Sequence, residues 1–516
     1  VSEGGFTNVL EVAIDGLPLH PKVAPKLVEG WVDASLNVPA AFQLMFRDPN
    51  RRVFEQLGVR LGSSVVLRAY AAGQDGSTPL MTGEVTALEA DFDGTGKFSV
   101  LRGHDPGHRL LRHRRVAAYT GMKASEIAAE LAAADGLEVG TITATEMRYT
   151  TITQPNVTDW EFLTRLAQEN DREISFSPEG RFQFIEAKPA AGAPGASVTP
   201  RQSDLVLGSG GNLMRLRTGY TSSAQVSEVE VRGWSVPTKQ KVTGQSRATS
   251  NPHLEIGATP AAVTTAFGPA TLTETDVPFD TAQQVSEAAT ALAADVSDSF
   301  AELEAVVRGD PILRPGLAVA LNGVGEPFEG KYTITAVRHT FLVGSGYETW
   351  VAVTGRQHRS LFGLASGGAA RSPRMPGVAN ALVTDIQDPE HHGRVKLTFP
   401  WLSDTYVSDW CRVAQFGGER GGALILPEVG DEVLVAFDRG ALDHPYVIGG
   451  LYNGIDRLPA YEPLPVVDRT SGRVNWRAFA DRAGNRVELL DALTTKGVKI
   501  SSANDELTIR LDQTKT

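Results

Sequence analysis

A single cysteine, Cys411, stands in a chain of 516 residues. An intrachain disulfide is therefore impossible, and a metal knuckle built on thiolates is excluded. Cys411 lies beside Trp410 and two residues before Val413 in a strand-like run, where a small core residue is expected rather than a nucleophile. No run reaches the ~18 consecutive apolar residues of a membrane span. No basic stretch followed by an apolar one opens the sequence, so no secretory leader is expected. The sequence begins at Val1 rather than Met, and residues before it are expected. Basic residues are also short: 49 against 61 acidic, a net charge of -12. That balance disfavours nucleic acid as the main partner, because phosphate binding wants a positive face.

The chemistry-bearing motifs are missing too. There is no GxSxG, no HExxH, no phosphate-binding loop and no GxGxxG after a strand. His104, His108 and His113 are spaced by four and five without a helix or a recognised acidic partner, so they are not read as a metal site. The one basic run, Arg109 to Arg115, reads as a solvated or salt-bridged strand end; contact with an acidic neighbouring subunit is the alternative. No enzyme activity, metal or cofactor is expected.

What is present is short alternating strands punctuated by Gly, Pro and Asp. Length alone suggests three to five domains. Residues 1–105 read as a first β-barrel, with a tight turn at Asp93-Gly94. Residues 106–186 read as a small α/β insert. Its first helix covers Ser125 to Ala134 and stops at Gly136. A capping box, Thr158 with Glu161, opens the second, and a hairpin turns at Pro178-Glu179-Gly180. Residues 187–200 form a Pro/Ala/Gly linker. Residues 201–363 read as a second barrel with a helix over Asp280 to Asp295, and 364–377 as another linker. Residues 378–455 hold six candidate strands, among them GRVKLTF, GALILP and DEVLVAF, and read as a closed OB-type barrel. A connector, 456–474, leads to 475–516. There three short runs alternate apolar residues: Val487 and Leu489, Val498 and Ile500, then Leu507, Ile509 and Leu511, with corners at Gly484 and Gly497. Each run has too few apolar residues to bury a face alone.

Several blocks of the barrel carry a family resemblance: Asp388-Pro389, Gly393-Arg394-Val395, Phe399-Pro400-Trp401, Trp410 to Val413, Pro427 to Val433 and Gly449 to Gly454. In this order they resemble the barrel of VgrG-like spike proteins of contractile injection systems. Gly83 to Thr86 with Arg102-Gly103-His104-Asp105 resembles the first barrel of the phage tail hub. Arg314-Pro315-Gly316, Gly330-Lys331-Tyr332 and Val337-Arg338-His339 resemble its second barrel, where His339 is expected in a core or an interface.

The resemblance implies a mainly β, multidomain chain: two hub barrels, an OB barrel and the start of a trimeric intertwined β-helix. The seven apolar residues from Val487 to Leu511 would line the interior of that needle. The implied function is a structural hub and spike. It would work as a homotrimer that adapts a six-fold inner tube above to a three-fold needle below, with a conical tip protein and baseplate subunits as partners. Such a particle is assembled in the cytoplasm and punctures a target membrane without a transmembrane segment. The rival reading is an OB binding module for nucleic acid or glycan. Against it, Trp401, Tyr406, Trp410, Phe416 and Tyr452 are expected to pack in the core.

Overall fold

The computed structural model describes residues 10–70, 76–186, 188–344, 346–354, 375, 377–458, 460 and 463–513. The stretch expected as a linker at 364–377 lies outside the described residues except for 375 and 377. The chain forms two compact units, Val1–Gly449 and Gly450–Thr516.

The first unit is organised on an 11-stranded sheet. Leu10–Ile14 shows why these residues make strands: Leu10, Val12 and Ile14 are buried while Glu11 and Ala13 are half-buried, the two-residue period of a sheet with one covered face. The sheet runs from the edge strand Leu213–Tyr220 to the two-residue strand Leu17–Pro18. It does not stop where the first hub half ends. Ala336–Leu342, from the second half, pairs antiparallel with Leu27–Ser35, from the first, with His339 opposite Val32. Phe341 and Tyr347 stack with centroids 4.2 Å apart and belong to the first half's core. The two hub halves are thus stitched by one ladder rather than closed separately.

The insert packs two helices, Ala124–Ala134 and Asp159–Glu169, against a hairpin of Glu173–Phe176 and Phe182–Ile185. Thr158 and Glu161 make the reciprocal capping box expected from the sequence. The strand Val139–Ile142 joins parallel to Phe182–Ile185, a pairing the sequence did not suggest. Trp160 donates its indole N–H to the Asn37 carbonyl, and the Asn37 side chain accepts from Ile174 N–H, fixing the insert to the first half.

The stretch 188–200 is packed, not a free spacer. Ala193 is buried in a small core with Val206, Ala318 and Ala320, Ala190 is buried as well, Thr333 donates to the Lys188 carbonyl, and Asn322 donates to the Val198 carbonyl. Alanine side chains let two backbones approach closely without leaving an apolar period to read.

In the second half, the helix Ala282–Asp298 lies on a three-stranded sheet of Gln240–Arg247, Glu228–Ser235 and Thr271–Glu274. Gly244 permits this: a Cβ there would collide with the Val285 carbonyl.

The OB barrel, within the same unit, carries five strands, ordered Lys396–Thr398, Val378–Asp385, Glu432–Phe437, Pro445–Gly450 and Arg412–Val413. Its core holds Val383, Leu397, Phe399, Tyr406, Cys411 and Val433. GALILP, expected as a strand, is not one. The Gln415 side chain both donates to the Ile425 carbonyl and accepts from Ile425 N–H, taking the ladder's place, and Leu424, Ile425 and Leu426 are exposed. Of the five aromatics expected in the core, Tyr406 alone is buried. Trp401, Phe416 and Tyr452 are exposed, and Trp410 is half-buried under the Lys396 ammonium.

Candidate functional site

The second unit contains a four-stranded antiparallel meander of Trp476–Ala480, Arg486–Ala492, Thr495–Ser501 and Thr508–Asp512. Short polar turns close each hairpin, with Gly484 N–H donating to the Asp481 carbonyl and Ser502 N–H to the Leu507 carbonyl. The ladder is therefore formed between neighbouring strands of one chain, with Trp476–Ala480 and Thr508–Asp512 as its edges, where the sequence reading expected strands shared between chains. At Gly497, φ is +146° and a Cβ would strike the Leu511 carbonyl, so a glycine is needed for the last two strands to close.

The register sorts the side chains. Phe479, Val487, Ile500 and Ile509 stand in one cross-strand row. Leu489, Val498 and Leu511 stand in the next, with Arg477 at its end. Leu507 has the same parity as Ile509. All seven residues singled out in the sequence thus share one face, and Phe479, which was not, joins them. Its signal was there: Trp476–Ala480 alternates, but the run is short and preceded by irregular chain. This face is uncovered. Leu489 is 43% exposed, Ile500 44%, Ile509 62%, Leu511 64% and Leu507 78%, while Val487 and Val498 are half-buried.

The opposite face is mixed: Trp476, Leu490 and Ala492 are buried there beside a covered ion cluster, while Thr508 and Arg510 are exposed. Arg486 and Glu488 pair at 3.2 Å, Lys499 lies 3.5 Å from Glu488, and Arg486 bonds Asp505 at 2.6 Å. The hydrogen bond from Arg486, aided by the Lys499 charge, lowers the Asp505 carboxyl to about 2. Arg486 and Glu488 are thus covered while five of the seven aliphatic residues on the other face stand in water, against the usual half-solvated pattern. Contiguous apolar surface of this kind marks an interaction site.

A second uncovered apolar group lies on the OB barrel, where Phe416, Leu424, Ile425, Leu426 and Val429 project from the Gln415 loop.

The basic run is salt-bridged: His108 and Arg109 both bond Glu84, and Arg115 bonds Asp159 at 2.8 Å. His113 comes to 3.6 Å from Asp159 and 3.8 Å from Asp135, a trio whose donor atoms could hold a cation. The Arg115 guanidinium already stands among them, with Nη2 3.0 Å from His113 Nε2. His339 is buried, accepting from Tyr347 Oη–H at 2.8 Å, as a core histidine rather than a base. His391 and His392 sit in the turn held by Asp388 and Arg394. Among the described residues, no helix is long and apolar enough to cross a membrane.

Comparison with known proteins agrees with this architecture. The type VI secretion system/phage-baseplate injector OB domain matches residues 379–452. The Alg8 N-terminal domain matches residues 75–342, just over half of the chain. The type VI secretion system spike protein VgrG5 of Pseudomonas aeruginosa is 41% identical over 96 residues, 17% of this chain and 12% of that protein. VgrG3 of Vibrio cholerae is 34% identical over 157 residues, 27% of this chain and 15% of that protein. The chain thus matches less than a sixth of the length of these curated relatives. Among solved structures, the half-lidded Francisella PdpA-VgrG complex gives a TM-score of 0.56 at 9% identity, covering 99% of this chain and 88% of that one. The E. coli c3393 protein, a type VI component described as similar to T4 tail proteins gp27 and gp5, gives 0.50 at 16% identity, covering 85% and 99%. At these identities the structures speak for the fold alone. The chain belongs to the Alg8 N-terminal domain family and, with the injector OB domain following it, is a VgrG-like hub/spike protein.

Proposed function

We propose that this protein is the structural hub and spike of a contractile injection machine and that it works as a homotrimer. The observation that carries this reading is the uncovered apolar face of the Trp476–Asp512 meander. One chain satisfies its own backbone bonds there but leaves two rows of aliphatic side chains in water. A three-fold arrangement would turn these faces inward, at roughly 25 cal/mol for each Å² of apolar surface removed from water. The uncovered Gln415 loop would give the OB barrels a further contact. The two hub halves, repeated around a three-fold axis, supply six quasi-equivalent elements to meet a six-fold inner tube, with a three-fold needle beneath. The remaining partners are a conical tip and surrounding baseplate subunits. The particle is assembled in the cytoplasm, its role is mechanical, and the needle is driven through a target membrane by contraction elsewhere.

Mass in solution tests this. Multi-angle light scattering should give three copies for the intact protein, and Ile500→Asp with Ile509→Asp should give monomer with an unchanged far-UV spectrum. A wild-type monomer at micromolar concentration, or trimers that survive both aspartates, would overturn the proposal.

A further inference from the structure

A cleft of ≈ 390 Å³ lies within the first unit where three modules meet. The insert contributes Met147, Ile152 and Arg165, the long helix Ala282–Asp298 contributes one stripe, and the turn before Pro445–Gly450 of the OB barrel contributes Arg439 to His444. The volume falls in the range of small-molecule sites, which favour domain junctions and combine apolar walls with a few convergent polar groups.

Sequence spacing explains how the helix faces the cleft. Gln284, Glu287, Ala288, Ala291 and Asp295 recur at intervals of three and four and all line it. The alanines leave the space, and the two carboxylates flank it. Across from the helix, Val277, Pro278 and Phe279 form an apolar wall, with Glu274 and Asp276 beside it.

The charge around this space is lopsided. Six carboxylates line it, from Glu169, Glu274, Asp276, Glu287, Asp295 and Asp443, against the basic side chains of Arg165, Arg439 and His444. Each basic group is engaged. Arg165 bonds Glu169 at 2.8 Å, His444 lies 3.0 Å from Asp443, and Arg439 donates to the Val277 carbonyl at 2.8 Å. Even with His444 counted as a cation, the lining carries a net charge of −3. In a partly enclosed space such an excess is felt more strongly than at an open surface.

We propose that this cleft binds a small organic dication, an ammonium and a guanidinium at the two ends of an apolar stem. One charged end lies by Glu287 and the other toward Asp295, about 12 Å further along the helix axis at 1.5 Å per residue, with the stem between Ala291 and the Met147 and Ile152 side chains. A ligand seated there touches all three modules, so binding also holds them in one arrangement and raises the thermal midpoint by mass action.

Isothermal titration of the intact protein with agmatine tests this, with butanol as an uncharged control. One agmatine per chain is expected, with a raised thermal midpoint and no response to butanol. Glu287→Gln with Asp295→Asn should weaken binding about tenfold or more, as expected for loss of charge-assisted hydrogen bonds. Ala291→Phe, which fills the cleft and leaves every charge in place, should abolish it. Circular dichroism checks that each variant folds, and Glu287→Gln alone serves if the double variant does not. No heat with millimolar agmatine, several equivalents removed by salt alone, or binding indifferent to Ala291→Phe would overturn the proposal.

Discussion

His339 shows what burial does to one side chain. It is 4% exposed, hydrogen-bonded to Tyr347 and the Leu313 carbonyl, and burial pushes its pKa down to about 3. The folded state keeps it neutral, while the unfolded chain protonates it below about 6.5. Its stabilising contribution is complete above that pH and is lost as pH falls toward 3. Asp105 runs the other way. Burial pushes it up to about 7, so the folded state holds a proton that the unfolded chain has released, and stability falls as pH rises from about 4 toward 7. The two oppose each other in one window, and only a variant separates them. In urea denaturation, the stability gap between wild type and His339→Phe should shrink by about 2 kcal/mol from pH 8 to pH 5. Cys411 gives a simpler check: burial pushes its thiol up to about 12, so a thiol reagent should label it only on unfolding. Both residues were legible in the sequence as core positions, Cys411 from its alternating neighbours and His339 from its place in a hub-like strand. Phe416 was not. It stands in the same kind of run but points away from the barrel, because Gln415 diverts the chain one residue earlier.

At the scale of elements, local chemistry decided what could be read. The helix after Thr158 was plain from its cap, where Thr158 accepts from Glu161 N–H; the long helix was read from spacing alone, and the structure adds its cap, Thr281 accepting from Gln284 N–H. Replacing either threonine by alanine should destabilise the first unit by about 1 kcal/mol in chemical denaturation. The helix Ala282–Asp298 also depends on Gly244 in the sheet below it, where no Cβ fits against the Val285 carbonyl. Gly244→Ala should lower the thermal midpoint more than either cap change does. Elements without punctuation were harder. The four-residue apolar run in GALILP looks the same whether it is a buried strand or an exposed loop, and periodicity cannot separate them. The parallel strand Val139–Ile142 was hidden because its partner lies some forty residues away and its own side chains are mostly exposed. On the meander, two-residue alternation sorted seven of eight face residues correctly, since register follows directly from that period.

For the whole molecule, what the residue pattern did not carry is how its parts join. Nothing in the alternation of Leu27–Ser35 says that its neighbour on one side comes from some three hundred residues downstream. The ladder between Leu27–Ser35 and Ala336–Leu342 means that a fragment of residues 1–186, made alone, exposes an unpaired strand along one side of its sheet. Such a fragment should aggregate, and co-expression with residues 188–354 should return it to the soluble fraction, as read by sedimentation. That the stretch 188–200, read as a linker, is packed could not be seen for a related reason: small side chains bury little area each, and their packing leaves no signature in composition.

That continuous ladder also bears on how such proteins can be recombined. A chimera that exchanges the first hub half for a homologue's would have to match a foreign edge strand residue for residue along seven paired positions. A crossover just after the strand Pro445–Gly450, where the second compact unit begins, cuts no strand ladder. Chimeras of this chain should therefore exchange the second unit more readily than one hub half, and the two hub halves only together.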